Sequence, residues 1–76
     1  MENNDPFIPT IMGLNEKENY ILELIAEGLT SEEIAEKLEI TSRNVQTYKK
    51  HMLNKTKTRN MASMVAFGFK YGLLKL

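Results

Sequence analysis

The chain has 76 residues, 42% of them hydrophobic and none of them cysteine, so it holds one small core built without disulfides or thiolate metal ligands. Its apolar runs fall far short of the roughly 18 residues that a membrane span needs, and its first residues lack the basic start and apolar centre of a secretory signal. A soluble, cytoplasmic protein with no membrane partner is therefore expected, and its formal net charge of zero is informative only once the charges are placed along the chain.

Residues 1–13 carry two prolines and a glycine with little periodicity, and read as a tail or linker. Phe7, Ile8, Ile11 and Met12 in this stretch are expected to lie over the core. Residues 14–76 read as the folded domain. Asn15 followed by Glu18 has the spacing of a capping box and opens a first helix. Tyr20, Ile21, Leu24 and Ile25 form its apolar stripe, and Gly28 sits where a helix ends on a positive φ.

Thr30 with Glu33 is a second capping box, and Glu32 and Glu33 suit the positive end of the helix dipole. Ile34, Ala35 and Leu38 are the inner face of this second helix, which runs to about Glu39. A turn near residues 39–41 leads directly to a third helix capped by Thr41, with Val45, Tyr48 and Met52 inward. The pattern breaks at residues 56–58. Thr58 or Asn60 caps a last helix with Met61, Met64, Val65 and Gly68 inward, Gly72 ends it, and Leu73 and Leu74 turn back onto the core. The fold class is all-α, with four short helices and no strand signal.

The junction between the second and third helices is too short for an antiparallel hairpin of equal helices and fits a helix-turn-helix. Ala35 permits close crossing, and Ile34, Leu38, Ile40, Val45 and Tyr48 fill the wedge. The opposite face of the third helix then carries Arg43, Gln46, Thr47, Lys50 and Asn54. None is apolar or acidic, and each can donate to a phosphate or a base edge. An ordinary solvated helix mixes Glu with its Lys for i, i+4 pairing, and this one has no Glu. The charges agree with that reading. All ten acids lie in the first 39 residues, whereas residues 40–76 hold eight bases and no acid. Such asymmetry points to a polyanion surface in the C-terminal half, or to an acidic helix packed beside a basic one. The two are compatible.

From Leu14 to Leu74, without gaps, the sequence resembles the LuxR/NarL-type DNA-binding domain of bacterial regulators. The resemblance rests on "LNEKENYILELIAEGLTSEEIAEKLEITSRNV", then "KKHMLNKT" and the closing "YGLL". It implies a four-helix domain that binds double-stranded DNA through the third helix and often dimerises through the fourth. On that basis Gln46, Thr47 and Lys50 fall where family members touch bases. Thr41, Arg43, Asn44 and Lys49 fall among positions that touch phosphates, and Asn54 extends the same face. The outer face of the last helix, with Ser63, Ala66, Phe67 and Lys70 and with Tyr71 at its margin, is the expected homodimer interface.

Several positions depart from the family pattern. Asn15 stands for Thr, Lys17 for Arg, and Tyr48 for the common His. Gln46 replaces a frequent Lys or Arg, which implies a different preferred base. Glu32 replaces a Lys that would approach a phosphate, and Thr56 and Lys57 replace a Leu-Gly pair at the exit of the third helix.

Other chemistry finds few parts. His51 is the single histidine, so neither a metal site nor an acid–base pair assembles from sequence, and no enzymatic activity and no cofactor are expected. Met52, Met61 and Met64 fall at core spacing and read as gap fillers. Two functions remain open at this point. One is a sequence-specific transcription regulator, free-standing or the output domain of a response regulator. The other is an interaction module of the same fold that docks on another regulator or on RNA polymerase.

Overall fold

The orphan amides at the start of each helix are met in the same way four times. The structure, a computed structural model, describes residues 13–72 and 74. Its helices are α1 (Glu16–Ala26), α2 (Ser31–Leu38), α3 (Ser42–Thr56) and α4 (Met61–Lys70). Asn15, Thr30, Thr41 and Asn60 precede them in extended backbone, and each side chain accepts from the amide three residues on. At α1 and α2 the box closes, because Glu18 and Glu33 accept in turn from the amides of Asn15 and Thr30 at 3.0 and 2.8 Å.

The ends are equally uniform. Gly28, Glu39, Lys57 and Gly72 all adopt positive φ just past a helix. At the first three, the following amide reaches back to a carbonyl of the last turn: Leu29 to Leu24, Ile40 to Ala35 and Thr58 to Leu53, at 3.0–3.2 Å. Lys57 therefore makes the left-handed exit that a glycine would make more easily.

Two of these four positions carry side chains in a region that disfavours them. Glu39→Gly is expected to stabilise the domain by about 0.5–1 kcal/mol, the relief of the left-handed strain less the added entropy of the unfolded chain. Thermal unfolding should shift upward by a few degrees, and an unchanged or lowered Tm would show that Glu39 is unstrained.

The core joins Leu14, Ile21, Leu22 and Leu24 to Ile34 and Ala35, to Val45 and Met52, and to Met64 and Leu74. Met61 and Val65 pack against it as partly buried neighbours, so the three core-spaced methionines do fill the interior. Tyr20, expected in the inner stripe of α1, is instead exposed, and fully buried Leu22 takes that place. The stripe is one residue further round the helix than periodicity alone gave. Leu74 turns back over buried Gly68, where an added Cβ would stand 2.7 Å from Leu74 Cδ1 and 3.3 Å from Leu22 Cδ2. Phe7, Ile8, Ile11 and Met12, and likewise Leu73, lie outside the described residues.

Candidate nucleic-acid interface

The turn between α2 and α3 decides which way α3 faces. Glu39 in left-handed backbone reverses the chain, the Ile40 amide closes onto Ala35, and Thr41 caps α3 at once. Ile34, Ala35 and Val45 are buried in the angle, and Leu38, Ile40 and Tyr48 pack against them. With one side of α3 so committed, Arg43, Gln46, Thr47, Lys50 and Asn54 all stand exposed on the other. Thr41 and Asn44 are also exposed, at the N-terminal end, and Lys49 is half-buried at the edge of the face. The first turn of α3 contains no acidic residue, so no carboxylate of its own offsets the partial positive charge of the helix start.

Internal ties modify this picture. Gln46 Nε2 and Lys49 Nζ both donate to Ser31 Oγ, at 2.8 and 2.7 Å. Thr47 Oγ1 donates to the Arg43 carbonyl at 3.2 Å. Lys55 is occupied elsewhere, since its ammonium meets both carboxylate oxygens of buried Glu18 at 2.8 and 2.9 Å. It therefore leaves the set of bases free to meet an anion, and among the described residues the acidic and basic halves do pair internally at this point. Lys17 Nζ lies 5.5 Å from the centre of the Tyr48 ring, a cation–π contact at the position where the family often has His. Glu32, near the start of α2, is exposed.

Reasoning from sequence missed Ser31 and the Glu18–Lys55 pair. Ser31 looked like an ordinary first helical residue, and only the crossing of α2 over α3 brings it to residues 15 and 18 positions away. The ion pair spans 37 positions, beyond any local pattern.

On the outer face of α4, Ser63, Ala66, Phe67 and Lys70 line a shallow hollow of about 220 Å³. Phe67 and Tyr71 stack with their ring centres 5.7 Å apart and nearly parallel, and both are well exposed. Lys70 lies beside the Tyr71 ring. His51 is exposed and borders a second hollow of about 330 Å³ with Ile40, Asn44, Thr47 and Tyr48, in which no carboxylate takes part. Among the described residues, no three His, Asp or Glu gather where they could hold a metal ion, and no helix is long and apolar enough to cross a membrane.

Known proteins give this geometry its context. Residues 12–67 match the family model described as bacterial regulatory proteins of the luxR family. A probable transcriptional regulator, ycf29, of Porphyra purpurea is 41% identical over 64 residues, covering 84% of this chain and 31% of that protein. The response regulator Rre1 of Synechocystis is 32% identical, covering 86% of this chain and 28% of its own. The oxygen regulatory protein NreC of Staphylococcus carnosus is 37% identical over 71 residues, covering 93% of this chain and 31% of its own. The chain thus spans about three-tenths of the length of these relatives. No solved structure matches it. The match covers α1 to α3, the tight turn, the acid-free face and the start of α4, and on it the chain belongs to the luxR family of bacterial regulatory proteins.

Proposed function

We propose that this chain binds double-stranded DNA in a sequence-specific way to regulate transcription, with α3 in the major groove. The observation that carries the reading is the exposed, acid-free face of Arg43, Gln46, Thr47, Lys50 and Asn54 on a helix fixed by a tight turn. Such a helix fits the width of the major groove and presents donors along its whole outer side. Gln46, Thr47 and Lys50, at the middle of that face, read bases. Arg43, Lys49, Thr41 and Asn44 hold the phosphates on either side, and Asn54 extends the contact. Two copies of the chain meet through the outer face of α4, which sets two recognition helices on half-sites about one DNA turn apart. The work is done beside the chromosome, in the cytoplasm, and needs no cofactor.

With Lys55 paired to Glu18 and Lys50 turned to the bases, the basic residues left for phosphate near α3 are Arg43, Lys49, Lys57 and Arg59. Four contacts per monomer give a plot of log K against log salt with a slope of about −3.6. A flat plot between low and moderate salt would exclude the reading. The division of labour is tested by substitution. Gln46→Ala should relax the preference at one base pair by roughly 1–3 kcal/mol, whereas Lys49→Ala should weaken all duplexes alike and reduce the salt slope by about one. Binding measured against a panel of single-base variants separates the two. Loss of affinity without any change of preference in both variants would show the roles to be wrong.

A further inference from the structure

We propose that Ser31 is a positioning residue for base recognition, holding the Gln46 amide so that its remaining donor and its acceptor face an adenine. The proposal rests on the DNA-binding reading and adds a residue from the other helix of the motif. Ser31 is the first residue of α2 and only 8% exposed, so its hydroxyl has little access to water. Its oxygen has two lone pairs. The Lys49 ammonium can only donate, so its 2.7 Å contact fills one of them. The Gln46 amide nitrogen fills the other at 2.8 Å. The oxygen's acceptor capacity is then fully used, and both ties cross from α2 to α3.

The chemistry left on Gln46 follows from that count. Its amide nitrogen carries two hydrogens and one goes to Ser31, which leaves one N–H and Oε1. An adenine edge in the major groove offers N7 as acceptor and N6–H as donor, the complement of that pair. A long, exposed glutamine otherwise samples many rotamers and loses that freedom on binding. Anchoring one end of the amide to a buried hydroxyl removes much of that loss beforehand. Ser31 therefore acts on the identity of the base through Gln46, and on the phosphate contact through Lys49. Only the first effect depends on sequence.

The experiment uses the whole chain and duplexes carrying the site chosen from a random pool, together with the three other base pairs at the position that loses selectivity in Gln46→Ala. The parent should prefer A·T there. Ser31→Ala should reduce that preference about 3–10-fold, the scale of one hydrogen bond, with preferences elsewhere kept. Ser31→Thr, which retains the hydroxyl, should restore it. In the Gln46→Ala background, Ser31→Ala should remove nothing further at that pair. In the free protein, the Gln46 side-chain amide should be ordered by NMR relaxation and lose that order in Ser31→Ala, a readout independent of DNA. The proposal is overturned if Ser31→Ala keeps full preference at that pair, weakens all duplexes equally, or leaves the Gln46 amide as ordered as before. A parent that binds duplexes with no sequence preference would instead overturn the DNA-binding reading, and the base-reading role of Ser31 with it.

Discussion

Phe67→Glu is expected to leave the domain folded and to remove cooperative binding to a duplex carrying two half-sites, while binding to one half-site persists. The residue is 37% exposed and stacks on Tyr71, so the substitution opens no buried cavity. The proposed contact is isologous, which brings each Phe67 near its symmetry mate or the mate's neighbours. A carboxylate there loses the aromatic surface and also sets two like charges close together. Ser63 and Ala66 are small enough to let a second helix approach, and the hollow they form with Phe67 and Lys70 has room for one inserted side chain. Coupling between such sites is typically 1–3 kcal/mol, or about 5–150-fold in the affinity of the second half-site. Fluorescence anisotropy on one-site and two-site duplexes measures it, with sedimentation of the free protein as the companion. A variant that assembles and binds the two-site duplex like the parent would place the interface elsewhere.

Much of the fold was legible because its signals are local. Capping boxes, left-handed exits and apolar spacing each act within about one helical turn, and all four helices were placed to within a residue or two. Glu39 and Lys57 mark where that approach weakens. Neither is glycine, yet both take the left-handed backbone, where the amide–carbonyl closure and the partly buried neighbours on either side hold the chain. Tyr20 marks a second weakness. At the edge of a stripe, hydrophobicity alone does not decide between a Tyr with a polar tip and a Leu two residues on, and packing chose Leu22.

The exposed residues of α3 were legible for a related reason. Once Val45 and Met52 are fixed inward, helical geometry turns Arg43, Gln46, Thr47 and Lys50 outward without reference to the rest of the molecule. What those side chains touch is another matter. Gln46 and Lys49 appeared as free polar groups in the sequence, and the hydroxyl that gathers them belongs to a different helix. Lys55 appeared as one more base in a basic half, although its charge is already engaged by the Glu18 carboxylate. Charge counts along a chain overstate a binding surface wherever such a pair is hidden.

That pair carries the largest stability effect expected here. Glu18 is 3% exposed and accepts from the Asn15 amide and twice from Lys55, whose own side chain remains 43% exposed. The two partners are therefore unequal. Removing the Lys55 charge leaves a buried carboxylate with one backbone donor, whereas removing the Glu18 charge leaves an ammonium that water still reaches. Breaking a fully buried pair on the costly side takes about 3–5 kcal/mol, and the exposure of Lys55 trims this to about 2–3 for Lys55→Met. For a chain of this length, total stability is about 4–11 kcal/mol, so the loss is a large fraction of it. Glu18→Gln keeps an acceptor for the Asn15 amide and should cost about 1 kcal/mol. The double variant, Glu18→Gln with Lys55→Met, then has no stranded charge and should be more stable than Lys55→Met alone. Urea unfolding of the four proteins measures all three differences. If the two losses simply add, the Glu18 carboxylate does not depend on Lys55, and the pair is a surface contact of little consequence to the fold.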